Sequence, residues 1–400
     1  MDIGIIQESA HAVEAATVSR LLRARPRLLA LGEPTHGEEL LLDVRNDLFR
    51  QLVEQDGYRI IALESDCLAG LTVDDYVTSG TGTLDEVVER GISHGWGTSP
   101  GNRELVRWMR AYNEGRPAAE QLRFAGFDGP LETEAAASPR QVLTALHAYL
   151  AARVEPALLP CTADTLDQLI GTDERWTDPA AAWEPSKSVG RSDDARQLRL
   201  LADDLVALFD ASLPHLIATS TPDELERARL YGRTATGLMR YHYWMADTSP
   251  ARWPRLASVR DTMMAANLLA LAEQGPTLVY AHNTHLQRDK GTLTMGGRPF
   301  DWWGAGALVS PRLGDDYAFL ATDVGTIAHH GVPAPPPDTL QGLLHQLPGD
   351  RHLIDTRHLA ATLTAAPAPR ESPYYGYIPL NPTHPPTYDG LLYIKDLPPA

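Results

Sequence analysis

The chain has 400 residues, 43% of them hydrophobic, and a formal net charge of −17 at pH 7. That length exceeds one average domain and carries enough apolar side chains for a sizeable core. The acidic balance argues against nucleic acid as a partner, because its phosphates would be repelled, and no apolar run approaches the length of a bilayer span, so no membrane partner is expected.

Met1-Asp2-Ile3-Gly4 has neither the basic nor the apolar region of a secretory signal. Cys67 and Cys161 are not at metal-type spacing, and two thiols suit a reducing compartment. The expected location is therefore cytoplasmic.

In chain order, Arg27 to Leu31 is an apolar run of strand length. Glu39 to Gln55 puts Leu41, Val44, Leu48 and Leu52 on one helical face. Arg59 to Leu63 is a second strand, Thr83 to Arg90 a charged helix, Arg103 to Asn113 a helix and Leu122 to Phe127 a third strand. Strands and helices alternating at this spacing predict βαβ units and a largely parallel sheet. Between residues 134 and 275 the pattern becomes helical, over Ala195 to Phe209, Asp223 to Met245 and Val259 to Glu273. A loop-like stretch of Thr, Asp, Pro and Trp interrupts it near 160–192. Strand patterns return at Thr277 to Ala281 and Tyr317 to Thr322. Proline then becomes dense, from Pro333 to Pro337 and from Pro367 to Pro386, and Leu391 to Ile394 could form a closing strand. The fold expected is α/β, with a mostly parallel central sheet flanked by helices and a helical elaboration covering the active-site cleft. Its segments are 1–135 and 276–400 for the α/β core and 136–275 for the helical part.

In an open α/β sheet, functional groups gather at the carboxyl ends of strands. Gly32-Glu33-Pro34-Thr35-His36-Gly37 follows the first strand, and its glycines allow backbone angles that other residues resist. His36 is a candidate general base, and Glu33 could fix its tautomer or raise its basicity. Glu38 and Glu39 fall in the first helical turn, where the dipole favours negative charge. Arg45 borders the apolar face of that helix, so it needs a carboxylate partner and could support the site from below or contact substrate. Glu64 ends the second strand, while Asp66 suits an N-cap. Asp128 ends the third strand, where it could orient a histidine or a loop. Thr277 to Ala281 delivers His282-Asn283-Thr284-His285 into another strand-end loop.

Two histidines and two glutamates raise the question of zinc, but the helical His-Glu-x-x-His form is missing. Gly91-Ile92-Ser93-His94-Gly95 and Gly97-Thr98-Ser99-Pro100-Gly101 match a nucleophile-elbow pattern. An elbow needs a strand before the serine, and Thr83 to Arg90 has a helical pattern instead. Ser93 and Ser99 remain the basis of a serine-hydrolase alternative.

The ordered set Gly32-Glu33-x-x-His36-Gly37, Glu64 and His282-Asn283-x-His285 resembles the erythromycin esterase family. Further matches are Leu105 to Asn113, Gly126-Phe127-Asp128 and Arg260 to Asn267, so the similarity runs over most of the chain. Pro34 departs from the pattern, which more often has a small residue there, and the Pro-rich tail and Trp302-Trp303 do not map onto it. The resemblance implies a metal-independent hydrolase that opens lactones with activated water. It makes His36 the general base and Glu33, Arg45, Glu64, His282 and His285 the other polar groups of the cleft. Wider relatives include metal-using and ligand-binding proteins.

The expected function is therefore hydrolysis of an ester or lactone in a natural-product-like small molecule, without a cofactor or metal. The catalytic candidates are His36, Glu33, Glu64, His282 and His285, and the substrate-binding candidates are Arg45, Asp128 and Arg288. Two alternatives use the same groups: a non-hydrolytic cyclase, dehydratase or acyl-transfer enzyme, and a metal-dependent hydrolase or ligand-binding protein.

Overall fold

The structure is a computed structural model that describes residues 3–22, 24–132, 135–295, 297–363, 365–383 and 387–399. Its strands in chain order are β1 (Ala10–His11), β2 (Leu28–Glu33), β3 (Ile60–Asp66), β4 (Arg123–Asp128), β5 (Leu131–Glu132), β6 (Ala135–Ala136), β7 (Thr277–His282), β8 (Lys290–Met295), β9 (Arg298–Trp303), β10 (Tyr317–Ile327), β11 (Arg351–Ile354) and β12 (Gly390–Leu397). Eight of them make one sheet in the order β1-β11-β12-β10-β2-β7-β3-β4. The run from β12 to β4 is parallel, and β11 is antiparallel to both its neighbours. This is the mostly parallel α/β sheet that the alternating pattern predicts.

Continuous apolar runs form the middle strands because helices bury both faces of the sheet. On one face packs helix α1 (Glu39–Gln55), whose Leu41, Val44, Leu48 and Leu52 enter a core shared with Leu105, Val106 and Met109 of the helix Pro100–Asn113. The other face is covered by Met264, Leu268 and Leu271 and by Ala305 and Val309. A third core lies among the middle helices, where Leu143, Leu198, Leu205, Leu238 and Trp176 are buried together. Two long helices dominate that region, α2 (Pro222–Met245) and α3 (Arg252–Gln274). A capping box of Thr221 and Glu224 starts α2 by satisfying backbone N–H groups at its N-terminus. No helix is long and apolar enough to cross a membrane among the described residues.

Three segments differ from the sequence expectation. The stretch near 160–192 is not a plain loop: it holds a helix at Ala163–Ile170 and short 3₁₀ turns. Its turn-forming residues act as caps, with Thr162 Oγ1 accepting from Thr165 N and Asp178 from Ala180 N. Trp176 anchors it, buried with its Nε1–H donating to the Ile170 carbonyl at 2.8 Å. The last apolar run, β12, does not close an edge but sits inside the sheet between β11 and β10. Trp302 and Trp303 belong to a β8–β9 hairpin that no alternating pattern announces.

His242 of α2 shows how the helical layer depends on protonation. Its ring is 1% exposed, its Nε2–H donates to the Ala137 carbonyl at 2.8 Å, and it meets Trp176 edge-on at 4.9 Å. Burial pushes its pKa down to about 4, against a smaller upward pull from that carbonyl. The unfolded chain takes up this proton near the ordinary value of about 6.5. The stability from neutral His242 is thus complete above about pH 6.5 and lost as pH falls through about 4, on the order of 3 kcal/mol. Urea unfolding at about pH 7.5 and about pH 4.5 checks this. His242→Gln should shrink the acid-induced loss by that amount, and an unchanged loss would exclude His242 as its source.

Candidate active site

β7 reaches the sheet late in the chain and inserts between β2 and β3, which a helical crossover separates. The register sets Glu33 beside His282 and, one strand further, Leu63 beside Tyr280. Glu33, Glu64 and His282 therefore share one rim of strand ends, a crevice of the kind where α/β sheets bind ligands. Gly32 is required by close approach: a Cβ there would stand 2.1 Å from Asn283 Oδ1. The Asn283 side chain passes over it to donate to the Thr322 carbonyl at 2.8 Å and accept from Thr322 N at 3.1 Å. This fixes the His282–His285 turn against β10. Gly37, at φ +82°, turns the chain from the His36 loop into α1.

Glu33 is buried and fully engaged. Its Oε1 lies 2.6 Å from His36 Nδ1, and its Oε2 accepts from the Tyr280 hydroxyl at 2.6 Å. The second His36 nitrogen, Nε2, has no protein hydrogen bond among the described residues, and the side chain is 35% exposed. The ring packs 4.7 Å from Trp96 and 5.3 Å from His282. Burial pulls the imidazole pKa down, but the Glu33 and Glu64 carboxylates outweigh it and raise the value to about 9. Burial and the Glu33 charge hold the Tyr280 hydroxyl pKa well above its ordinary value, so it remains a donor.

Glu64 lies at the centre of a second network. Its Oε2 accepts from His282 N at 2.8 Å, and its Oε1 accepts from Arg260 Nη2 at 2.9 Å and lies 3.4 Å from His285 Nε2. Arg260 of α3 also grips Asp128, with Nε and Nη2 at 2.9 and 2.7 Å from Oδ2. Burial alone would raise the Glu64 pKa; the charges of His285, His36 and Arg260 hold it well below the usual carboxylate range. Asp261, also on α3, accepts from Trp302 Nε1 and Ala305 N at 2.7 Å each and pairs with His285 Nδ1 at 2.9 Å. Against burial, Asp261 and Glu64 raise the His285 pKa.

His282 is different. Its Nε2–H donates to the Pro34 carbonyl at 3.2 Å, and its Nδ1 accepts from Thr284 N at 3.2 Å. Burial, and then the nearby His36 charge, push its pKa down to about 3, so it is a neutral ring with both nitrogens occupied.

Of the sequence candidates, the structure brings Glu33, His36, Glu64, His282 and His285 into one connected cluster. Arg45 is 1% exposed beneath them, with its guanidinium 4.9 Å from the Tyr280 ring and Nη2 donating to Asn46 Oδ1 at 2.8 Å. With Glu33, Glu64, Trp96 and Tyr280 it borders a small recess, with room for about 20 Å³. Asp128 is fully buried and stands behind Arg260. Arg288 is committed elsewhere: it donates to the Thr387 and Tyr317 carbonyls and to Asp389 Oδ2, at 2.6, 3.0 and 2.7 Å, and to none of the cluster. Arg260, Asp261, Tyr280 and Trp96 also belong to the site, although none of them has a role there on the sequence reading, and the first two appear in it only within the family-like segment Arg260 to Asn267. An adjacent Arg-Asp pair inside an apolar helical pattern was the available signal for the first two. Neither serine sits in an elbow. Ser93 follows the helix Leu84–Gly91 and bonds Ser65 Oγ and Asp66 N, and Ser99 precedes the helix at Pro100. Asp66 caps the turn after β3, its Oδ1 accepting from Leu68 N at 2.7 Å.

A crystal structure of a Bacillus cereus protein superposes with a TM-score of 0.71 at 18% identity, covering 99% of this chain and 97% of that one. A succinoglycan biosynthesis protein gives 0.67 at 16% identity, over 98% and 96% of the two chains. A mutant of the erythromycin esterase EreC in its open conformation gives 0.67 at 17% identity, over 94% and 92%. At such identities these likenesses establish the fold. No curated protein matches. The family model described as erythromycin esterase matches residues 53–397, most of the chain. The chain therefore belongs to the erythromycin esterase family, whose family-level activity is ester hydrolysis.

Proposed function

We propose that this cleft hydrolyses an ester or lactone of a natural-product-like small molecule, with water as nucleophile and His36 as general base. The observation that carries this reading is the Glu33 contact to His36 Nδ1 at 2.6 Å, which leaves Nε2 uncommitted in a partly exposed ring. A carboxylate on one imidazole nitrogen orients the ring and stabilises the cation formed when the other takes a proton. Tyr280 holds that carboxylate in place. The same contact makes the neutral ring a stronger base, and with its pKa raised to about 9 that neutral form gains population as pH rises toward this value, so the proposed activity should rise with it.

In the proposed reaction His36 Nε2 removes a proton from water while the resulting hydroxide attacks the ester carbonyl. His285, carrying a proton between Asp261 and Glu64, stabilises the oxyanion or protonates the leaving oxygen. His282 takes no part in proton transfer and locks the Pro34 carbonyl. Arg45, Asp128 and Arg260 hold the charged groups in position. The reading needs no metal in this cleft. Glu64 is committed to Arg260 and the His282 amide, and both nitrogens of His282 are occupied, so these groups do not offer converging free lone pairs.

Macrolide lactones and simpler esters incubated in heavy-oxygen water test the reaction class. Hydrolysis places one heavy oxygen in the acid product; a mass-shifted product without label would replace hydrolysis by elimination or cyclisation. On any substrate so found, His36→Ala should lower kcat/KM by roughly 10²–10⁴-fold, the usual contribution of a general base. Its melting temperature should stay within a few degrees of the parent. Activity within a few-fold of the parent would remove His36 from the mechanism.

A further inference from the structure

Outside the cleft, Glu38, His329 and His330 converge. Glu38 immediately precedes α1, just past the His36 loop, and the histidines fill the 3₁₀ turn Ala328–His330 after β10. β2 and β10 are parallel neighbours in the sheet, so their carboxyl ends bring these two loops together. His329 Nε2 lies 3.0 Å and His330 Nε2 3.5 Å from Glu38 Oε1, and one ligand atom from each residue falls within 4.8 Å of the others.

We propose that Glu38, His329 and His330 form a binding site for a divalent cation of the zinc class. Zinc binds imidazole and carboxylate at about 2.0–2.2 Å in a tetrahedral arrangement, which spaces neighbouring ligand atoms by roughly 3.3 Å. The two distances to Glu38 bracket that spacing, so a cation would enter with small side-chain adjustments. The chemistry of Glu38 points the same way. Its side chain is only 6% exposed, and among the described residues its carboxylate contacts no Lys or Arg, only the two imidazoles. A buried carboxylate is costly unless paired, and a cation would meet that need with both histidines neutral. The rings are 24% and 37% exposed, so one side is open for metal entry and for a water as fourth ligand. His330 is pre-oriented, stacked on Tyr374 with ring centres 4.1 Å apart and planes 8° from parallel.

Among the described residues the three share no hydrogen bond with the cleft network, so the site is a clasp between the His36 loop and the end of β10 rather than part of the proposed proton transfer. Binding is independent of what the cleft hydrolyses.

The test uses the full chain without a histidine tag, stripped by chelator and titrated with zinc chloride at neutral pH by calorimetry. A thermal-shift series and elemental analysis of the protein after gel filtration accompany it. One zinc per chain and a zinc-dependent rise in melting temperature are expected in the parent. Both should vanish in the His329→Ala/His330→Ala double variant, whose exposed side chains can be removed without disturbing the core. Glu38→Gln, keeping size but losing charge, should bind more weakly than the parent. Should the double variant misfold by circular dichroism, cobalt substitution in the parent decides instead, with the intense visible absorption of a tetrahedral ion expected. Absence of saturable zinc binding, an octahedral cobalt spectrum, or a stoichiometry and affinity unchanged in the double variant would overturn the proposal.

Discussion

The site depends on how Arg260 is shared between two buried carboxylates. Glu64 and Asp128 lie at or near the carboxyl ends of adjacent strands, are 3% and 0% exposed, and would repel each other strongly in a medium of low dielectric. One guanidinium from α3 lies against both, gripping Asp128 through two nitrogens and reaching Glu64 with Nη2. The planar fork of Arg suits this bidentate grip in a way a lysine would not. Two consequences follow. The long helix α3 is registered onto the strand ends, and Glu64 is fixed where it receives the His282 amide and faces His285. Asp261, the next residue of α3, points its carboxylate at His285 and at Trp302 of the β8–β9 hairpin. One helical turn thus orients a strand-end glutamate, a histidine and a hairpin.

Around this anchor three imidazoles within one small volume acquire different characters. His282 has burial and a neighbouring positive charge against it, and its pKa falls to about 3. His36 has Glu33 at hydrogen-bond distance, and its pKa rises to about 9. His285 sits between Asp261 and Glu64, and its pKa also rises. Carboxylate placement, rather than residue type, separates the ring whose pKa is lowered from the two whose pKa is raised. That separation assigns the proposed base and acid to His36 and His285 and leaves His282 as a fastener of the Pro34 loop.

Much of this was legible in the sequence because strand-end motifs are local. Apolar runs ending in Glu33, Glu64 and His282 carry both the strand and its polar terminus, and the 3.6-residue pattern from Leu41 to Leu52 delimits α1 to the residue. Long-range partnership was less legible. Arg260 finds Asp128 and Glu64 only after the sheet has formed, and nothing near it in the chain names its partners. Arg288 shows the converse: a charge close to the His285 motif suggested substrate, while the fold turned it to Tyr317, Thr387 and Asp389. The segment near 160–192 looked like a loop because caps and prolines dominate its composition, yet those residues start short helices and one buried tryptophan holds them.

The Arg260–Asp128 pair holds the strand ends and α3 in one arrangement. A double-mutant cycle on unfolding free energy, using Asp128→Asn, Arg260→Met and their combination, tests it most directly. Arg260→Met should cost about 3–5 kcal/mol by leaving two buried carboxylates without their cation, and Asp128→Asn somewhat less, because Arg260 keeps Glu64 as a partner. The double variant should be less destabilised than the sum of the two by at least about 2 kcal/mol. Costs that add to within about 0.5 kcal/mol would show that the two side chains act independently and would contradict the account.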